Sequence, residues 1–237
     1  MKGAKNIFVN EDDIKKLNDI INFCRDNYNI AHKKTYDLAE SGIEICEKLN
    51  LSADKNILKT YLAFFLWHNN EPQKAISIIY SISEKLLANK NYLEFSLGII
   101  ITSLIEWAKG NVELAFNTIN QAFEELKNKE NTKVAIIRLN WTLGVFYFDL
   151  DEIEDSLFHY QLSKNSLDNE SDFSVVAYIN VGLASVYKKK QELEKAAILF
   201  EETLLYSQIN NIWMVEARAF HELGMLEQIN KNYNKAY

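Results

Sequence analysis

Small side chains recur along this chain at nearly constant intervals. Alanine or serine stands 40, 41, 40 and 40 positions apart in the series Ala75, Ala115, Ser156, Ala196 and Ala236. A second series precedes the first by twelve positions and consists of Ala63, Ser103, Gly144, Ala184 and Gly224. How closely two packed helices approach depends on the side chains at their contact. The paired series therefore predict a repeated helical hairpin with a period of about 40 residues.

Short polar segments separate the two small residues of each pair. Four of the five contain Asn, Asp or Gly, which end one helix and cap the next. The predicted turns lie at 68–71, 109–111, 149–152, 190–192 and 230–232. Pro72 follows the first turn, where the first positions of a helix tolerate the missing N–H. With one proline and seven glycines in 237 residues, the chain has few helix breakers, and an all-α fold is predicted.

The repeats resemble the tetratricopeptide repeat family. The segments Leu-Gly-Val-Phe-Tyr at 143–147 and Leu-Ala-Ser-Val-Tyr at 183–187, followed by Leu-Glu-Lys-Ala at 193–196 and then Phe200, carry the family's spacing. The resemblance covers about residues 53–237, in a form longer than the usual repeat of about 34 residues. This long form is similar to that of bacterial signalling proteins. The resemblance implies a right-handed α-solenoid that forms one domain over 1–237, with about five repeats over 53–237, the last incomplete.

The two ends of the chain predict different structures. Residues 1–50 are expected to form a degenerate capping repeat, with helices over about 11–27 and about 31–50. At the other end, a helix over about 211–229 is followed by only the opening turn of its partner. Its apolar side chains, among them Phe220 and Leu226, would then lack cover. This pattern predicts either a fragment of a longer protein or a homodimer formed through the C-terminal end.

The resemblance also implies where a ligand would bind, because in tetratricopeptide proteins the first helix of each repeat lines a concave groove. The N-terminal half of that groove is apolar and aromatic here, and the C-terminal half is polar and partly cationic. The implied groove residues are Phe64, Trp67, Ile100, Leu104, Trp107, Arg138, Asn140, Trp141, Phe148, Tyr178, Asn180, Lys188, Arg218 and His221.

Several of these residues have two interpretations. Trp67 and Trp107 either form a strip that holds an apolar peptide or helix, or fill gaps between helices. The lysine run at 188–190 either binds an acidic ligand or complements the negative end of a helix macrodipole. Asn140 and Asn180 either bond a peptide backbone, as asparagines do in the peptide-sensing relatives, or bond a neighbouring repeat.

Composition argues against two classes of partner. The 33 acidic residues outnumber 26 basic ones, and the net charge of −7 opposes binding to nucleic acid. The longest apolar run, at 97–101, is far too short to cross a bilayer, and the N-terminal residues lack the apolar core of a signal peptide. We therefore expect a cytoplasmic protein that binds neither nucleic acid nor membrane.

Catalytic motifs are missing from the sequence. The four histidines, at 32, 68, 159 and 221, fall in different repeats, and no glycine-rich phosphate loop, HExxH or GxSxG motif occurs. Cys24 and Cys46 are isolated and expected to be buried, inert thiols. Neither enzymatic activity, a cofactor nor a metal is predicted.

The expected function is therefore protein or peptide binding. The resemblance implies the sensory or interaction region of a larger bacterial signalling protein, such as a cyclase, a kinase or a Rap- or PlcR-like regulator. The alternative is a structural scaffold that docks a partner protein and has no small ligand. A protein or peptide partner in the concave groove is common to both, since a solenoid is a scaffold whose purpose depends on its surface.

Overall fold

The protein is described by a computed structural model over residues 11–29, 32–168 and 173–236. This part of the chain contains eleven α-helices and no strand, which confirms the all-α prediction. The helices are α1 (Glu11–Asn27), α2 (His32–Leu49), α3 (Ser52–His68), α4 (Pro72–Ala88), α5 (Tyr92–Ala108), α6 (Val112–Leu126), α7 (Lys133–Asp149), α8 (Ile153–Asn165), α9 (Phe173–Lys189), α10 (Leu193–Ile209) and α11 (Trp213–Ala236). Four of the five predicted turns agree with these bounds.

The turns share one backbone conformation. After α3, the amide of Glu71 donates to the Leu66 carbonyl at 2.8 Å, and the amide of Asn70 donates to the Trp67 carbonyl at 3.2 Å. This is the Schellman pattern, in which one residue takes a positive φ. Inside the hairpins the positive-φ residues lie 40, 41 and 40 positions apart, at Asn70, Gly110, Asp151 and Gln191. The 40-residue period is thus present in the backbone as well as in the small side chains.

The predicted capping of the following helices by side chains is not seen. Glu71, Asn111, Glu152 and Glu192 precede α4, α6, α8 and α10, and none of them makes a side-chain cap bond. Their ψ angles lie between 54° and 74°, short of the extended conformation from which a cap side chain reaches back to the helix. The tight Schellman turn imposes this geometry, so these residues serve to end helices rather than to cap them.

The chain divides into two compact units, Met1–Lys127 and Asn128–Tyr237. In the N-terminal unit, each helix from α1 to α6 packs against the next, and α3 also contacts both α1 and α5. Odd-numbered helices therefore form one layer, and even-numbered helices pack on it. The four small residues predicted for the hairpins of this unit have no exposed surface: Ala63, Ala75, Ser103 and Ala115.

The C-terminal unit repeats this arrangement. Consecutive helices from α7 to α11 pack together, and α9 also contacts α7 and α11. The predicted small pair meets directly in the first hairpin, where Ser156 Oγ donates to the Gly144 carbonyl at 2.8 Å. The ring of Tyr160 fills the space above two glycines, because an added Cβ would lie 2.9 Å from it at Gly144 and 2.4 Å from it at Gly182.

The fifth predicted turn is wrong. Helix α11 continues through 230–232 to Ala236 instead of ending near Ile229. A helix turns back where a second helix can pack on it, and the described part of the chain supplies no helix after α11. Asn and Lys continue a helix at little cost in propensity. Gly224, predicted to contact a partner helix, is exposed and has no atom within 4 Å of an added Cβ.

Both cysteines are buried, as the sequence predicts, and neither forms a disulfide. Burial raises the pKa of the Cys24 thiol to about 12 and that of Cys46 to about 11. Each thiol therefore stays protonated near neutral pH and is a poor nucleophile.

Candidate functional site

In the N-terminal unit, the first two predicted groove residues belong to an aromatic cluster. The Trp67 ring lies 5.7 Å from Phe64 and 4.4 Å from His68, centroid to centroid. Phe64 also meets Tyr28, which follows α1, edge to face at 4.8 Å. Phe64 is 7% exposed, while Trp67 is half-buried. Trp67 thus packs on an aromatic cluster while part of its side chain stays accessible.

The predicted groove residues of α5 differ in how far they are buried. Ile100 is 4% exposed, whereas Leu104 and Trp107 are half-buried. The Trp107 ring meets Phe116 of α6 at 6.1 Å, inside its own hairpin. This contact supports a packing role for Trp107, one of the two interpretations that the sequence leaves open.

A buried carboxylate that sequence reasoning missed joins the odd-numbered helices of the N-terminal unit. Glu94 of α5 accepts hydrogen bonds at Oε1 from Arg25 Nε of α1 at 2.8 Å and from Tyr61 Oη of α3 at 3.0 Å. Its side chain is 1% exposed. Burial by itself lowers the pKa of the Arg25 guanidinium. The hydrogen bond to Glu94 and the negative charge of that carboxylate outweigh burial and raise the pKa above its ordinary value. This network is built to hold three helices together.

In the C-terminal unit, predicted groove residues on neighbouring odd helices do meet. The Trp141 ring of α7 lies 5.7 Å from the Tyr178 ring of α9. Tyr178 Oη lies 4.0 Å from Met214 Sδ of α11. Trp141 and Tyr178 are half-buried and Met214 is exposed, so these three side chains form an accessible line across the layer.

Other predicted groove residues of this unit are buried. Arg138 is 3% exposed and Asn140 is 7% exposed. Asn140 Nδ2 donates to the Ile136 carbonyl at 3.0 Å, and its Oδ1 lies 2.9 Å from His159 Nδ1 on α8. Asn140 therefore bonds within its own hairpin. Asn180 is half-buried, and its Oδ1 has no hydrogen-bond partner in the described part of the chain.

The C-terminal ends of α7 and α9 and residues 218–229 of α11 line a concave site of about 420 Å³. Three predicted groove residues meet there, one from each helix: Phe148, Lys188 and Arg218. The full lining combines apolar side chains, cations and one carboxylate, and consists of Phe148, Ser185, Lys188, Lys189, Gln191, Leu193, Arg218, Glu222, Met225 and Ile229. We call it the α7–α9–α11 site.

The cations of this site are not equivalent. Lys188 pairs with Glu222 inside the site. Lys189 pairs with Asp151 at 2.6 Å and lies 5.9 Å from the Phe148 ring centroid. Arg218 is exposed and has no ion pair within the described residues. Among the described cations of this site, Arg218 is therefore the one that is not already paired with a carboxylate. His221, also predicted, lies exposed on the same helix.

His159 makes the C-terminal unit sensitive to acid. The ring stacks on Tyr147 at 5.3 Å, and burial lowers its pKa, an effect that nearby Asp155 opposes. The folded state thus favours neutral imidazole, while the unfolded chain takes up a proton below about pH 6.5. The free energy of unfolding should fall between about pH 7 and 5. Urea unfolding of the wild type and His159→Gln at several pH values checks this. Identical pH dependence in both proteins would contradict it.

Comparisons and searches add four findings. No protein-family model matches the chain. No curated protein is significantly similar to it in sequence. Among the described residues, no three His, Cys, Asp or Glu side chains are grouped so as to hold a metal ion. None of the helices within the described ranges is both long and apolar enough to cross a bilayer.

Proposed function

We propose that this chain is a non-catalytic protein- or peptide-binding module built as a right-handed tetratricopeptide-like solenoid. Two observations support the solenoid. The 40-residue period occurs both in the small side chains and in the positive-φ turns. Within each unit, hairpins pack in two layers, with odd-numbered helices in contact. Stacked hairpins of this kind create the extended surfaces that repeat proteins use for binding.

The observation that carries the binding function is the convergence of Phe148, Lys188 and Arg218 on one concave site from three successive odd helices. An exposed guanidinium recognises a carboxylate through paired hydrogen bonds. Phe148 and Met225 offer polarisable, apolar contacts beside it. The fitting ligand is a peptide segment with a carboxylate next to an apolar side chain. The line of Trp141, Tyr178 and Met214 extends the same surface.

Such a ligand would contact three helices at once. By binding one arrangement of α7, α9 and α11 better than others, it would shift the population toward that arrangement. A sensory region of a larger signalling protein would use this shift as its output. A structural scaffold, the alternative function, would dock a folded partner on this face and need no separate peptide ligand.

An array of ten-residue peptides, with free and with amidated C-termini, tests the proposal. The protein should bind peptides that place a carboxylate beside Phe, Leu or Met. For the best binder, Arg218→Ala should weaken affinity by about tenfold or more, since a charge-assisted pair to a carboxylate is lost. Fluorescence anisotropy measures the affinity, and circular dichroism verifies that the helical content is unchanged.

Lys195→Ala is the matched control, because Lys195 is an exposed cation of the same unit that lies on α10 and pairs with Glu192. It should leave affinity within about twofold of the wild type. Equal losses from the two substitutions would show general attraction between charges and overturn the site. Failure to bind any peptide would overturn the peptide-binding function itself.

A further inference from the structure

A second concave surface lies in the N-terminal unit, on the layer of even-numbered helices. Helices α4 and α6 both pack on α5, and within these fully described helices they do not pack on each other. The gap between them has a volume of about 780 Å³. Its floor includes Phe95, Ile99 and Thr102 of α5. We call it the α4–α6 groove.

Large apolar side chains stand exposed on both walls of the groove. Tyr80 of α4 is 67% exposed and Leu114 of α6 is 48% exposed, and both line the groove. A single exposed apolar residue is ordinary on a protein surface. Here two of them line one groove, one on each wall, above a partly apolar floor, which is typical of an interaction surface.

The charge of the groove is of one sign. Glu84 of α4 and Glu124 and Glu125 of α6 line it, and no lysine or arginine is among its described lining residues. Lys127 pairs with Glu124 from outside at 3.2 Å, but these side chains are 62% and 74% exposed. Such an exposed pair contributes little, so the groove keeps a negative field.

We infer that the α4–α6 groove binds an amphipathic helix with apolar residues on one face and Lys or Arg beside them. A helix satisfies its own backbone hydrogen bonds, so it can lie on an apolar floor without leaving polar groups unpaired. The groove is bounded by helices and offers no strand edge for an extended peptide. The three carboxylates select a basic partner and disfavour an acidic one.

Two synthetic peptides of about 18 residues, or five helical turns, test the inference. They share the same leucine positions and differ only in carrying Lys or Glu at the flanking positions. In fluorescence anisotropy, the Leu/Lys peptide should bind at least about tenfold more tightly than the Leu/Glu peptide. Equal affinity for both would overturn the inference.

Variants of exposed residues then test whether the peptide binds in the α4–α6 groove. Tyr80→Ser combined with Leu114→Ser should weaken binding of the Leu/Lys peptide by about tenfold or more, as should Glu84→Lys combined with Glu125→Lys.

The matched controls lie in the C-terminal unit, where Phe158 and Leu162 are 55% and 40% exposed and Glu201 and Glu202 are exposed. Phe158→Ser with Leu162→Ser, and Glu201→Lys with Glu202→Lys, should leave affinity nearly unchanged. If the control pairs weaken binding as much as the groove pairs, the peptide binds elsewhere.

Discussion

Gly182→Ala should destabilise the protein by about 3 kcal/mol or more, whereas Gly224→Ala should stabilise it by about 0.5–1 kcal/mol. Both glycines lie inside helices. An added Cβ at Gly182 would stand 2.4 Å from Tyr160 Cζ, while one at Gly224 would meet nothing within 4 Å. Tyr160 is 4% exposed, so its ring lies within the packed core. Urea unfolding of the two variants gives the comparison directly.

Removing the Tyr160 ring should show that this ring causes the destabilisation by Gly182→Ala. Tyr160→Leu will be destabilising by itself because it leaves a cavity. Adding Gly182→Ala to it should then cost much less than in the wild type, since the methyl group enters the vacated space. A double-mutant cycle measures this coupling. If the costs simply add, or if both glycines respond alike, the close packing of α7, α8 and α9 around Tyr160 is wrong.

Arg25→Met should destabilise the protein by about 2–4 kcal/mol. Its partner Glu94 would lose its cation in a site where its side chain is 1% exposed, and Tyr61 would be its remaining described donor. Lys33→Met is the matched control, because Lys33 pairs with Asp37 at the similar distance of 2.7 Å but at side-chain exposures of 72% and 57%. That exposed pair should be worth less than about 1 kcal/mol.

The double variant separates charge from packing. Arg25→Met combined with Glu94→Gln should recover much of the lost stability, since the buried group is then neutral and still accepts a bond from Tyr61. Thermal and urea unfolding both report the difference. Equal costs for Arg25→Met and Lys33→Met would contradict the buried network.

The turns and the small residues could be predicted from the sequence because both depend on local chemistry. A polar residue such as Asn70 or Asp151 tolerates positive φ, so between two amphipathic segments it indicates a helix end. Ala75 and Ala196 mark close helix packing because no larger side chain fits there. These signals recur with one period, so each repeat supports the interpretation of the others.

The features that escaped prediction depend on tertiary contacts. A glutamate such as Glu94 is ordinarily exposed to solvent. Only the approach of Arg25 and Tyr61 from other helices makes its burial tolerable. The end of α11 could not be predicted because the residues at 230–232 resemble the other turns, although Asn and Lys also continue a helix at little cost in propensity.

The candidate site was predictable in part for the same reason. The resemblance to tetratricopeptide repeats predicts Phe148, Lys188 and Arg218 on one face, and these three line one site. The same resemblance predicts Arg138 there, yet its side chain is 3% exposed. Which lysine pairs with which carboxylate, as Lys188 does with Glu222, depends on how each helix is rotated, and no periodicity in the sequence specifies that rotation.

The most direct test of peptide binding at the α7–α9–α11 site uses two methionines of the C-terminal unit. Met225 lines the site, and Met214 lies beside Tyr178. With ¹³C-labelled methionine methyl groups, a bound peptide from the array should shift the Met225 signal most and the Met214 signal less. A saturating peptide that leaves the Met225 signal in place would contradict the assignment of this face as the binding surface.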